Sequence, residues 1–287
     1  MSEKEERDHG RGAPAHEGKA RRLSGTRDSC RITYLGHATA LIEQQGVRVL
    51  TDPMLRSRLF HLRRRAAPVT PQAVERIDAV LISHLDQDHL DLPSLRRLPG
   101  TPRVIVPSGG ARLVHRAGLE DVREVRVGDR VDARGQSIQV VPAFHRGRRR
   151  PLGPAADAVG YVVSGASRVY FAGDTGFFDG MADIGPDLDA ALLPVSGWGP
   201  TRGGEGHLDP RSAARALRLL RPRLAVPIHW GTLFPVGSAR RLGELRRNPA
   251  SQFARMATEI APEVEVRVLE PGESTVIARA GLRGGPD

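Results

Sequence analysis

His84-Leu85-Asp86-Gln87-Asp88-His89 places four metal-competent side chains in six residues, between the apolar run Ala79-Val80-Leu81-Ile82 and the polar start Asp91-Leu92-Pro93. A strand that ends in such a cluster gathers imidazoles and carboxylates at its carboxyl edge, where layered α/β proteins place their sites. Metal chemistry is the expectation from this stretch alone.

The surrounding sequence repeats the pattern of a strand delivering a polar cluster. Upstream, Arg31 to Leu35 and Ala40 to Glu43 read as strands around Gly36-His37, and Gln45-Gly46 turns the chain into Val47 to Leu50, an antiparallel meander. Downstream, a buried strand Ala79 to Ser83 is followed by a helix over Leu92 to Leu98, a strand Arg103 to Val106 and a helix from Gly109 to Ala117. Ser137 to Pro142 leads to Phe144-His145, and Gly160 to Ser164 and Val169 to Phe171 lead to Gly173-Asp174. Ala190 to Pro194 precedes a glycine-rich loop carrying His207. Asp209-Pro210 starts a helix to about Leu220, with Asp209 as N-cap and Pro210 in the first turn. Leu224 to Ile228 then delivers His229-Trp230.

Composition limits the alternatives. The 287 residues, 39% hydrophobic, suffice for one compact body. We expect residues 1–29, polar and aperiodic, to be a disordered leader and 30–287 to be a single domain. No apolar stretch approaches the roughly 20 residues of a membrane span, and Met1 to Arg27 lacks the apolar core of a signal peptide, so a soluble, cytoplasmic protein is expected. The single Cys30 excludes an internal disulfide and a cysteine-rich zinc module, leaving His, Asp and Glu as ligands.

The net charge of +10 lies in the body, since residues 1–29 hold seven basic against six acidic side chains. Arginine supplies all but Lys4 and Lys19 of the 43 basic residues, a pattern more like coding bias than selection for phosphate contacts. Two clusters stand out in what read as Pro/Gly-flanked loops: Arg56, Arg58, Arg63, Arg64 and Arg65, and Arg146, Arg148, Arg149 and Arg150 directly after His145.

The ordered set His84, Asp86, Asp88, His89, His145, Asp174, His207 and His229 resembles the metallo-β-lactamase fold superfamily, whose signature is H-x-H-x-D-H followed by a distant His, a later Asp and a final His. Within it the chain is similar to the branch of ascorbate-phosphate lactonases and N-acyl-phosphatidylethanolamine phospholipase D enzymes. Seven blocks carry the resemblance: Tyr34 to Thr39, Leu50-Thr51-Asp52-Pro53, Ser83 to Asp91, Pro142 to His145, Phe171 to Gly176, His207 to Pro210, and Pro227 to Thr232. The resemblance implies an α/β fold of αββα layers, two mixed sheets face to face with helices outside.

It also implies two divalent metal ions: one held by His84, position 86 and His145, the other by Asp88, His89 and His229, with Asp174 bridging. His207 fits no ligand position and is expected to be catalytic or substrate-facing, alongside Asp88. His37 and Asp52 are expected to orient ligands or loops, and Arg146 and Arg148 to contact an anionic substrate.

One departure matters: the second histidine of the signature is Asp86 here. A carboxylate still ligates, but it is shorter and adds charge, which favours Mn²⁺ or Fe²⁺ over Zn²⁺; should it fall short, only one ion binds. The expected activity is metal-dependent hydrolysis of a phosphoester or lactone, phosphodiesterase- or lactonase-like, on a small or medium anionic substrate. The alternative is a non-catalytic basic protein on the same fold that binds nucleic acid. An aromatic content of 4% leaves little for base stacking and argues against it. Neither substrate identity nor oligomeric state is legible.

Overall fold

A computed structural model describes residues 29–145, 153–185, 187–196, 206–237 and 243–278. Its strands are β1 (Ser29–Gly36), β2 (Thr39–Gln44), β3 (Val47–Thr51), β4 (Arg58–Leu59), β5 (Leu62–Arg64), β6 (Ala79–Leu81), β7 (Arg103–Pro107), β8 (Val122–Val125), β9 (Arg130–Ala133), β10 (Gln136–Pro142), β11 (Val159–Ser164), β12 (Arg168–Phe171), β13 (Ala190–Pro194), β14 (Leu224–Ile228), β15 (Leu233–Pro235), β16 (Glu265–Val266) and β17 (Ser274–Ala278). The α-helices are α1 (Leu92–Leu95), α2 (Ala111–His115), α3 (Pro210–Leu220) and α4 (Gly243–Ile260).

Two mixed seven-stranded sheets form the body, in the orders β17-β1-β2-β3-β6-β7-β8 and β16-β14-β13-β12-β11-β10-β9. Strand periodicity explains why they stack. In the first sheet Ile32, Ala40, Ile42, Val49, Leu81 and Ile105 join the core between the sheets, while their neighbours Leu41, Leu50, Val80, Val104 and Val106 pack outward with Leu95, Leu113 and Val114 of α1 and α2. Successive side chains of a strand point to opposite faces, so a strand covered on both sides is apolar throughout. On the second sheet Ala213, Ala216 and Leu217 of α3 and Phe253 and Ala257 of α4 complete the fourth layer. The αββα architecture implied by the family resemblance is therefore the observed one.

Local chemistry sets the helix ends. Asp209 caps α3 by accepting from Ser212 N at 2.8 Å, and Ser212 Oγ accepts from Asp209 N at 2.8 Å, with Pro210 in the first turn. Asp91 caps α1 in the same way through Ser94 N. Both helices of the first sheet are shorter than expected, Leu92–Leu95 rather than Leu92 to Leu98 and Ala111–His115 rather than Gly109 to Ala117. No helix among the described residues is long and apolar enough to cross a membrane.

The first arginine cluster requires a correction. Residues 56–65 are not an open loop: β4 and β5 pair through Arg58 and Arg63, and β15 joins β5 to make a small third sheet. Arg64 is 7% exposed and donates to the carbonyls of Leu35, Met54 and Ala67, while Arg56 forms a bidentate pair with Asp91 at 2.7 and 2.9 Å. A buried guanidinium with its donors on backbone carbonyls is structural cross-linking, and the planar fork of arginine suits it to that use.

Candidate metal centre

Parallel pairing brings the polar segments to one edge. Thr51 of β3 lies opposite Leu81 of β6, so Asp52, one residue beyond β3, comes beside Ser83 and the His84 segment. In the second sheet β10, β12 and β14 end just before His145, Gly173-Asp174 and His229. The turn between β1 and β2 supplies His37, whose carbonyl accepts from His229 N at 2.7 Å across the gap between sheets.

Three residues here hold left-handed backbone: His37 (φ 57°), Asp52 (φ 31°) and His229 (φ 60°). Such strain costs on the order of 1–3 kcal/mol per residue and is retained where surrounding contacts fix it, commonly at functional sites. His37 N donating to Thr232 Oγ1 at 2.8 Å is one of those contacts.

A chain of hydrogen bonds aims the imidazoles. Asp52 is fully buried; its Oδ1 accepts from Ser83 N at 2.7 Å, and its Oδ2 accepts from Ser83 Oγ at 2.5 Å and from His89 Nδ1 at 2.7 Å. With its proton committed to Asp52, Ser83 Oγ is left to accept from His84 Nδ1 at 2.9 Å. One carboxylate thus sets the tautomer of two histidines, each with its proton on Nδ1. Gly206 O accepts from His145 Nδ1 at 2.9 Å and does the same for a third. The Nε2 atoms of His84, His89 and His145 are thereby turned inward, and with His229 Nε2 and Asp174 Oδ1 they are buried without a hydrogen-bond partner.

The open atoms converge. Asp86 Oδ2 lies 3.6 Å from His84 Nε2 and 3.7 Å from His145 Nε2. Asp88 Oδ2 lies 3.7 Å from His89 Nε2 and 4.0 Å from His229 Nε2. Asp174 approaches His89 Nε2 at 3.2 Å and His229 Nε2 at 3.4 Å, and forms a compact triad with His84 and His145. Ligand bonds of about 2.0–2.2 Å separate neighbouring donors of one ion by about 3–3.5 Å; the Asp174 separations fall in that range, those of Asp86 and Asp88 lie just beyond it at 3.6–4.0 Å, and the imidazole and carboxylate donors suit first-row divalent ions. Asp86, shorter than histidine, stands 3.6 and 3.7 Å from its two neighbours, while the tightest grouping with His84 and His145 is completed by Asp174.

The remaining expected residues divide. His37 Nε2 donates to Asp88 Oδ2 at 3.0 Å, and its ring lies 4.1 Å from that of His229. His207 stands at the open side, its Nε2 3.6 Å from Asp174 Oδ2 and its ring 4.7 Å from that of His145. Arg146 and Arg148 lie outside the described residues. Sequence reasoning missed Ser83, the Gly206 carbonyl and Thr232. Ser83 alone had a signal, a hydroxyl directly before the first histidine of the motif.

Electrostatics keep the acids ionised and the site primed. Burial would raise Asp86, Asp88 and Asp174, but histidine partners hold all three below the usual carboxylate range: His145 and His84 for Asp86, His89 and His37 for Asp88, His229 and His89 for Asp174. Burial presses His229 down to about 3 and lowers His84, so both present neutral imidazole. Burial also disfavours a charged His89, yet Asp174, Asp88 and Asp52 raise it well above 6.5.

Glycine is required at one point beneath this cluster. Gly173, with φ 60°, lies so close to Ser83 that an added Cβ would sit 2.3 Å from Ser83 Cβ and 2.7 Å from its Oγ. Gly173→Ala is expected to cost about 3 kcal/mol from overpacking plus left-handed strain, read as a lower urea midpoint with unchanged slope. A midpoint within error of the parent would refute the close approach.

Comparison with known proteins fits this geometry. Residues 47–230 match the family model for the beta-lactamase superfamily domain. The chain is 35% identical over 251 residues to a UPF0173 metal-dependent hydrolase of Methanopyrus kandleri, covering 85% of this chain and 98% of that one. It is 32% identical over 262 residues to a UPF0173 metal-dependent hydrolase of Aeropyrum pernix, covering 85% and 96%. Among solved structures, Igni18, a metallo hydrolase of Ignicoccus hospitalis, superposes with a TM-score of 0.66 at 25% identity over 87% of this chain and 98% of that one. An isothiocyanate hydrolase from Delia radicum gut bacteria shares the fold, with a TM-score of 0.67 at 17% identity over 86% and 99%. With the match running through the strands that deliver the histidine and aspartate cluster, the chain belongs to the beta-lactamase superfamily.

Proposed function

We propose that the protein is a metal-dependent hydrolase that cleaves a phosphoester or lactone of an anionic small or medium-sized substrate. In this reading His84, Asp86 and His145 hold one ion, Asp88, His89 and His229 hold a second, and Asp174 lies between them. The observation that carries it is the convergence of four buried, unpartnered histidine Nε2 atoms on the carboxylates of Asp86, Asp88 and Asp174. Two divalent ions bound there would acidify water and offset negative charge developing on the substrate. Three carboxylates in the donor set favour a hard ion such as Mn²⁺ or Fe²⁺.

The chain's own residues supply the rest. Asp52 and Ser83 keep protons on the Nδ1 atoms of His89 and His84, so their Nε2 lone pairs stay available. His37 Nε2–H donates to Asp88 Oδ2 and fixes that carboxylate, which in this reading orients the attacking water. His207, its Nε2 3.6 Å from Asp174 Oδ2 at the open side, is the residue placed to face the leaving oxygen. Leu85, Leu208 and Trp230, each the chain neighbour of a site histidine, are buried and anchor those segments in the core. The relatives named as metal-dependent hydrolases support the reaction type.

The test is metal analysis of protein purified without added metal, followed by assays with bis-p-nitrophenyl phosphate and an activated lactone in Mn²⁺, Fe²⁺ and Zn²⁺. About two ions per chain and turnover of one substrate class are expected; failure of both classes with every ion would refute the assignment. Asp86→His should tighten zinc binding about tenfold by restoring a softer ligand, measured by chelator competition. Unchanged affinity would remove Asp86 from the ligand set.

A further inference from the structure

On the outer face of the second sheet, a groove of about 390 Å³ is lined by Arg211, Arg215 and Arg218 of α3, with Phe177, Leu219 and Ile260 as its apolar wall. The metal-centre reading uses none of these side chains. The arginines are exposed, and among the described residues none of them has an ion-pair partner. Their spacing of four and three residues puts all three on one face of the helix, within about 10 Å along its axis. Like charges so spaced repel one another, and an anion bound between them would relieve that repulsion. Arg215 is already positioned: its guanidinium lies over the Phe177 ring, 4.7 Å from the centroid.

We propose that this groove binds a nucleoside di- or triphosphate. Three guanidinium forks in a row match a short chain of phosphates, since each can engage phosphate oxygens bidentately. Phe177, Leu219 and Ile260 offer the apolar surface that a nucleobase or ribose would cover. The volume of about 390 Å³ is in the range of a small-molecule site. Phe177 also lies three residues beyond Asp174, and the intervening Gly176 N donates to Phe144 O, so the groove wall is continuous in sequence with the end of β12 that carries Asp174.

The test is calorimetric titration of the full-length, metal-loaded protein with ADP, pyrophosphate and adenosine, in the parent, in the triple variant Arg211→Gln, Arg215→Gln, Arg218→Gln, and in Asp174→Asn. Glutamine keeps helix propensity, and a thermal melt checks that the triple variant folds. ADP is expected to bind the parent more tightly than pyrophosphate or adenosine, to bind the triple variant about tenfold or more weakly, and to bind Asp174→Asn as it binds the parent. Binding lost in Asp174→Asn but kept in the triple variant would place the anion at the metal centre and overturn the proposal. Equal affinity for ADP and pyrophosphate would overturn the nucleoside component, and tighter binding of a single-stranded oligonucleotide with a steep salt dependence would replace the small molecule by an extended polyanion. Because the readout is binding, a failure here is distinct from failure of the hydrolase assignment.

Discussion

Asp52→Asn is expected to weaken metal binding by about 10- to 100-fold and to destabilise the fold by about 3 kcal/mol, although Asp52 is not itself assigned as a ligand. The carboxylate accepts three hydrogen bonds: from Ser83 N on Oδ1, and from Ser83 Oγ and His89 Nδ1 on Oδ2. An amide of the same shape has one acceptor oxygen and an NH₂ group that donates. If its oxygen stays on Ser83 N, the NH₂ faces His89 Nδ1, and the imidazole must move its proton to Nε2 to accept. That proton then occupies the atom that points at Asp174 and Asp88. Ser83 Oγ loses its acceptor as well, so the orientation of His84 is released with it. Chelator-competition titration would read the metal affinity and urea unfolding the stability, with circular dichroism checking the fold. Unchanged metal affinity would show that the Asp52–Ser83 relay does not control the imidazoles.

This effect also marks what the sequence displayed and what it concealed. The strands were legible because a sheet buried on both faces needs continuous apolar runs such as Ala79-Val80-Leu81-Ile82, and their ends were legible because polar clusters follow directly. Long-range partners were not. Nothing in the local pattern of Ser274–Ala278 says that it pairs antiparallel with β1, although its alternation of exposed and buried residues is strand-like. The helix Gly243–Ile260 contains Pro249, a residue that reads as a break, yet Ala250, Phe253 and Ala257 pack a continuous stripe against the core. Arginine-rich residues 56–65 look like a binding loop because charge suggests exposure, whereas Arg64 is buried among carbonyls supplied by distant segments. At the site, the side chains that would meet an ion come from the motif and from strand ends. The Ser83 hydroxyl and the Gly206 carbonyl that aim them are defined only by three-dimensional contact.

Metal loading is expected to raise the melting temperature by on the order of 10 °C or more for each occupied site. The metal-free cluster buries the Nε2 atoms of His84, His145 and His229 and Asp174 Oδ1 without hydrogen-bond partners, and each such atom costs about 1–3 kcal/mol of unrepaid desolvation. An ion that binds only the folded chain adds about 4 kcal/mol at a concentration a thousandfold above its Kd. For a chain of this size, 1 kcal/mol moves the midpoint by about 2–4 °C. The gap between loaded and chelated protein should also widen with pH. His89 has its folded pKa raised above 6.5 by Asp174, Asp88 and Asp52, so protonation stabilises the metal-free fold fully below about 6.5, and that stability is lost as pH rises through the raised value. An ion must displace the same proton, so its binding strengthens over that interval. Differential scanning fluorimetry of chelated and Mn²⁺-loaded protein between pH 6 and pH 9 would measure both effects. Because Asp174 contacts the histidines of both groups, Asp174→Asn should remove most of the rise. A loaded protein that carries two ions yet melts with its chelated form would mean that the buried nitrogens are satisfied in some other way and that the cluster is not the metal centre.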